Sequence, residues 1–188
     1  MHLQPGTHLP GRQQGWLIAN SAIQLSQMDA NSVGTVKIVD AAVTRAKLAP
    51  VSVVVLGQSS AQSIASDVAF HDILWTTEVE DADGLHAASS ATILPVFAGV
   101  WMFTFRVAME STMGSGILRG MFNGQEIARG PDVQATGTGL TIGLGAVTFI
   151  RRCNGLTDLA KAQVLHDSAG SRNTSPTVCF AEAVYLGA

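Results

Sequence analysis

Trp101-Met-Phe-Thr-Phe105-Arg-Val-Ala-Met-Glu110 alternates with a period of two: Trp101, Phe103, Phe105, Val107 and Met109 fall on one side, and Met102, Thr104, Arg106, Ala108 and Glu110 on the other. Successive side chains of a strand point to opposite faces, so this stretch reads as a strand with an aromatic face for a core and a more polar face turned away. Trp101, Phe103, Phe105 and Val107 are the predicted centre of the interior.

Downstream, Ile117 to Phe122 and Gln125 to Arg129 flank Asn123-Gly124, a dipeptide that supplies the positive backbone angles a tight hairpin needs. Asn154-Gly155 offers a second such turn, between Val147 to Cys153 and Leu159 to His166, and Val178 to Leu186 reads as a closing strand. With Phe70 to Val79 and Ala91 to Val96 added, about eight short strands follow one another. No strand-helix-strand alternation interrupts them, so an antiparallel sandwich of two sheets is expected rather than a parallel α/β fold.

Of the 188 residues 47% are hydrophobic and 13% charged, against a typical charged share of about a quarter. So little charge implies that part of the surface is covered by other copies of the chain. The net charge is -3 and the 11 Lys and Arg residues are scattered, which argues against nucleic acid as a partner. The start, Met1 to Gly15, holds prolines and glycines but no apolar run, so neither a secretory signal nor membrane insertion is expected.

Texture divides the chain into an arm (1–28), a short patterned connector (29–50) and a strand-rich body (51–188). The apolar residues of the arm, Trp16, Leu17, Ile18, Ile23 and Leu25, are too few for a core and should dock on something else. In the connector, Val36, Ile38, Val43 and Leu48 stand among small and polar residues and would be buried if three copies met around an axis. The alternative is a linker with one or two helical turns over Ala41 to Ala49, stopped by Pro50. Trp16, Ile18, Val36, Ile38, Val43 and Leu48 are the assembly candidates of these regions.

Motifs of catalysis are absent: no Gly-x-Ser-x-Gly, no His-Glu-x-x-His and no phosphate loop. His71-Asp72 and His166-Asp167 could join a serine in a triad, but five histidines among many serines give such pairs by chance, and no enzyme is expected. No cofactor is called for. Glu78, Glu80, Asp81 and Asp83 are weak calcium candidates, because Asp81-x-Asp83-Gly84 puts two carboxylates on one turn while a full cage needs about six oxygens; a solvated loop at the end of the sandwich is the plainer reading. Asn173-Thr-Ser175 fits a glycosylation acceptor but is a short, common triplet. The glycine-rich Gly137 to Gly145, without a following lysine, reads as a flexible stretch or as a strand packed closely between subunits. Cys153 and Cys179 read as two buried free thiols, with a bridge between two strands as the alternative.

Two resemblances sharpen this reading. The order Phe70 to Thr77, then Glu78-Val-Glu-Asp-Ala-Asp-Gly84, then Pro95-Val-Phe-Ala-Gly-Val-Trp-Met-Phe103, then Met121-Phe-Asn-Gly124, and a last strand near the C-terminus resembles the trimeric jelly-roll head of the complement-component and tumour-necrosis-factor-like type, over roughly residues 68–188. It departs from that type in thin aromatic content of the final strands, with only Phe180 and Tyr185, and in Asn154-Gly155 where Gly-Asp is usual. The resemblance implies an all-β, antiparallel two-sheet jelly-roll sandwich forming a homotrimer with an extended N-terminal arm, and Tyr185 near the threefold axis. Asn31 to Ala49 resembles the valine- and lysine-punctuated connectors of phage tail and fibre proteins. Together the two imply a bacteriophage virion structural protein at the virion surface: a trimeric knob decorating capsid or tail, in contact with other virion proteins. The alternative is a fibre head that binds a host-surface glycan or protein. In both, Glu78 to Gly84 and Ser168 to Pro176 are expected among the loops that face outward.

Overall fold

The computed structural model describes residues 52–110, 113–135 and 141–188. The arm and connector, with Trp16, Ile18, Val36, Ile38, Val43 and Leu48, lie outside the described residues, as does 136–140 of the glycine-rich run.

Among the described residues thirteen strands follow in order: β1 (Val53–Gly57), β2 (Ser63–Ile64), β3 (His71–Asp72), β4 (Thr77–Asp81), β5 (Thr92–Ile93), β6 (Ala98–Glu110), β7 (Met113–Phe122), β8 (Gln125–Arg129), β9 (Val133–Ala135), β10 (Thr141–Asn154), β11 (Ala160–His166), β12 (Arg172–Asn173) and β13 (Phe180–Gly187). Every pairing among them is antiparallel. The first sheet has the order β10, β6, β13, β1, β4; the second runs β3, β11, β7, β8, with β5 added on β11 and β9 on β7. A small pair, β2 with β12, completes the set.

The alternation of Trp101 to Met109 is realised in β6: Trp101, Phe103, Phe105, Val107 and Met109 are fully buried. The rings of Phe103 and Phe149 stack at 5.3 Å between centroids, and Trp75 stacks on Phe105 at 6.3 Å. The opposing sheet contributes Leu118, Ala160, Ala162 and Val164. Small residues there make room for large ones. At Gly120 a Cβ would lie 2.6 Å from Phe149 Cε1, so the missing side chain is what lets that ring enter the core.

Three expectations are corrected. Phe70 to Val79 is not one strand: β3 belongs to the second sheet and β4 to the first, and the chain crosses between them at Ile73 and Trp75, both fully buried. The apolar content of the stretch came from this crossing, not from a pleat. The acidic stretch starting at Glu78 is a strand through Asp81, not a loop, and only then turns at 82–84. Asn154-Gly155 is a turn but not a hairpin: β10 pairs with β6 in the first sheet and β11 with β7 in the second, so the chain crosses between sheets there, while Thr141 to Gly143, the described end of the glycine-rich run, pairs with Glu110 to Ala108 of β6.

Both edges of the first sheet are irregular. On β4 the register shifts so that Val55 faces Glu80 and Leu56 faces Glu78, leaving Val79 as an extra, 71% exposed residue. On β10 the register shifts between Gly143 and Ala146, with Gly145 at φ +81°.

The two ends of the sandwich differ. β1 starts beside the end of β13, where the Ser52 carbonyl accepts the Tyr185 N–H at 2.9 Å, and Asp81 pairs with Val54 at this same end. Gly57 and Phe180, which close β1 and open β13, mark the other end, which carries the loops 58–70 and 167–179. Glu78 to Gly84 and Ser168 to Pro176 therefore do not share an end. At the far end, buried Thr174 ties three segments together: its hydroxyl donates to Gln58 Oε1 at 2.7 Å and accepts the Gln62 N–H at 2.9 Å, while Gln62 accepts the Leu74 N–H at 2.8 Å and donates to the Asp72 carbonyl at 2.8 Å.

Candidate assembly face

The outward sides of the two sheets are chemically opposite. On the first sheet, cross-strand partners Val53, Val184, Met102 and Ile150 form one row over β1, β13, β6 and β10. The row is apolar throughout, with Ile150 52% exposed and the other three half-buried. Beside it runs a second row, Glu80, Val55, Glu182, Thr104 and Thr148. Its two hydroxyls, Thr104 and Thr148, are 3.1 Å apart. Paired side chains at this spacing form a continuous surface, and an apolar row of four in the middle of a sheet face is unfavourable in water.

On the second sheet the comparable row is Asp72, Gln163, Arg119 and Arg129, over β3, β11, β7 and β8. Here every member is bonded. Gln163 Nε2 donates to Asp72 at 2.6 Å, Arg119 donates to Gln163 Oε1 at 2.6 and 2.9 Å, and both arginines donate to Glu126, with Lys161 donating to Asp72 at 2.8 Å. The Arg119 guanidinium also lies 3.6 Å from the centroid of the Phe70 ring. Arg129, and after it Arg119, hold the Glu126 carboxyl down at about 2, below its ordinary 4.5. This face is polar and hydrogen-bonded; the other carries an apolar row.

The weak calcium candidates are spread along β4 and its turn. Asp81 accepts the N–H groups of Leu85 and His86 on its two oxygens, at 2.8 and 2.9 Å, and Glu78 lies 3.0 Å from Nδ1 of the buried His86 ring. Glu80 stands in the outward row opposite Val55, and Asp83 in the turn. Among the described residues no group of three or more His, Cys, Asp or Glu is placed to hold a metal ion.

Both histidine pairs are engaged in local hydrogen bonds. The buried His166 ring donates from Nε2 to the Ile64 carbonyl at 3.0 Å and accepts the Ser168 N–H at Nδ1, while Asp167 binds the Ser115 N–H. His71 pairs with Asp67 across a turn, and its neighbour Asp72 is engaged by Lys161 and Gln163. Cys153 and Cys179 are buried and unbridged. Burial, with Asp158 nearby, pushes the Cys153 thiol up to about 12, and burial raises Cys179 as well.

Tyr185 pairs with Trp101 and shares its inward side, its ring 5.3 Å from that of Trp101 and its hydroxyl donating to the Ala98 carbonyl at 3.2 Å. The outward residues of β13 that sequence reasoning passed over are Glu182 and Val184. Their signal was present in the alternation of Phe180 to Leu186, whose small members, Ala181 and Ala183, are the buried ones.

Compared by sequence, the chain matches no family model and no curated protein. Compared by structure, it is similar to murine APRIL, with a TM-score of 0.51 at 12% identity over 73% of this chain and 100% of that one. It also aligns with Eiger TNF from S. frugiperda (0.48, 12%, 73% and 94%) and with the globular domain of zebrafish complement 1qA protein (0.46, 11%, 72% and 97%). The likeness to APRIL shows the fold: the described body is an all-β, antiparallel jelly-roll.

Proposed function

We propose that this chain is a non-enzymatic structural protein of a bacteriophage virion, a homotrimeric knob at the particle surface that decorates capsid or tail. The observation that carries the reading is the contrast between the two outer faces. The row Val53, Val184, Met102 and Ile150 asks for a partner, and a chain with 13% charged residues most economically supplies one as a second and third copy of itself. The hydrogen-bonded row on the opposite sheet then faces solvent. The phage setting is supported by the resemblance of Asn31 to Ala49 to tail and fibre connectors.

A second reading, attachment to a host-surface glycan or protein, is favoured by Val68. This branched residue is 88% exposed at the end opposite Ser52 and holds φ +44°, a conformation costly for a β-branched side chain. The test is the solution mass of the full chain by light scattering, followed by binding of the purified protein to particles that lack it and to host cells. Three copies that bind the particles support decoration, three copies that bind only cells support attachment, and a monomer at all concentrations refutes the trimer.

A further inference from the structure

Two Asn-Gly pairs occupy turns on the same end of the sandwich, and a single carboxylate holds both. Asp158 Oδ1 accepts from Asn123 Nδ2 at 2.8 Å, and Asp158 Oδ2 accepts the backbone N–H of Asn154 at 2.7 Å. The Asn123 side-chain oxygen accepts the Leu159 N–H at 2.9 Å. The Asn154 side-chain oxygen accepts from Leu156, Thr157 and Asp158 N–H at 2.8, 3.0 and 3.3 Å, and its Nδ2 donates to Thr157 Oγ1 at 2.9 Å. Every polar atom of both amides is thereby engaged, although both asparagines are exposed.

Asn-Gly is the sequence in which the side-chain amide is most readily attacked by the next backbone nitrogen, because glycine offers no Cβ to obstruct the approach. The glycine nitrogen loses its proton to solvent and bonds to the asparagine Cγ, the Cγ–Nδ2 bond breaks, and Nδ2 takes up a proton from solvent and departs as ammonia. Water then opens the five-membered imide at one of its two carbonyls, leaving aspartate or isoaspartate. For Asn154 or Asn123 to close that ring, the amide must leave the donors and acceptors that now hold its oxygen and nitrogen. At Gly155 the backbone is further confined, since a Cβ there would lie 2.5 Å from the Ala98 nitrogen.

We infer that Asn123 and Asn154 are latent deamidation sites and that Asp158 is the positioning residue that keeps both closed in the folded chain. The experiment incubates the full chain in mildly alkaline buffer, native and in urea, and follows amide loss and isoaspartate at each site by peptide mass mapping. Native loss at both sites should be at least about tenfold slower than in urea, equivalent to about 1.4 kcal/mol of barrier. Asp158→Ala should bring both sites toward the unfolded rate, with Asn173-Thr174 unchanged as an internal reference. Circular dichroism establishes that the variant is folded. Should it not fold, Asp158→Asn, which offers one acceptor oxygen in place of two, should release one of the two sites. Native rates equal to those in urea, or folded Asp158 variants with both sites still slow, overturn the inference.

Discussion

Replacing Thr174 by Val tests whether the far end of the sandwich is held by the hydroxyl or merely by shape. The two side chains are nearly the same size, and Thr174 is fully buried, so packing changes little. What is lost is one donor and one acceptor: Gln58 Oε1 keeps no hydroxyl at 2.7 Å, and the Gln62 N–H no oxygen at 2.9 Å. A buried polar group left without a partner costs about 1–3 kcal/mol; the Gln62 N–H is only partly buried and can recover part of its loss from water, so Thr174→Val should lose about 2–4 kcal/mol in all. Against a typical domain stability of about 5–15 kcal/mol, that is a large fraction. With a urea dependence of roughly 2 kcal/mol per molar, the unfolding midpoint should drop by about 1–2 M. Thr174→Ser retains the hydroxyl and should stay within about 1 kcal/mol of the parent. Urea titrations followed by circular dichroism measure both. A Val variant as stable as the parent would refute the argument that hydrogen bonding organises these loops.

Val184→Asp places a carboxylate in the middle of the apolar outer row; the full chain should remain folded by circular dichroism while its light-scattering mass falls to that of one copy, since each copy loses about 1.5–3 kcal/mol of valine burial and gains a desolvated charge. An unchanged mass would remove that row from the interface. Gly120→Ala should lower stability by about 1–3 kcal/mol because the new methyl meets Phe149, and Gly120→Ala with Phe149→Leu should recover part of it in a thermal melt; equal melting of Gly120→Ala and the parent contradicts the packing. Glu126 has its folded value depressed from 4.5 to about 2, so its contribution is present above the ordinary value and lost as pH falls through the folded one. The parent should therefore exceed Glu126→Gln in stability by less than about 1 kcal/mol at neutral pH, a small effect for a partly exposed pair. The gap should close between pH 4.5 and about 2, and a gap that persists at the acid limit would exclude the ion pair as its source.

The strands with one wet and one dry face were legible from the chain. β6 announced itself through Trp101, Phe103, Phe105 and Val107, and the β7–β8 hairpin through Asn123-Gly124, both at the positive φ that such a turn requires; Asn154-Gly155 marked a turn, with Gly155 at positive φ, but one that carries the chain from one sheet to the other. β1 was not legible. In Val53-Val-Val-Leu-Gly57 the outward valines are as apolar as the inward Val54 and Leu56, and a strand with two apolar faces carries no alternation. The same feature that hid β1 as a strand makes its outer side a candidate contact face. The break between β3 and β4 was equally hidden, because Ile73 and Trp75 enter the core while the chain changes sheets. Asp158 could not be singled out either, since its importance lies in joining two turns about thirty residues apart, a relation that only the fold creates.

The irregular edges of the first sheet bear on what kind of polymer this chain can make. A long, flat sheet edge recruits further strands and grows without end, whereas a bulged, charged one refuses them. With Val79 pushed out between Glu78 and Glu80 on β4, and the backbone of β10 kinked at Gly145, neither border is a template for a further strand. In the proposed trimer, contact between copies would then run through sheet faces and not through added strands, giving a small ring that stops once its symmetry is complete in place of a fibril that lengthens indefinitely.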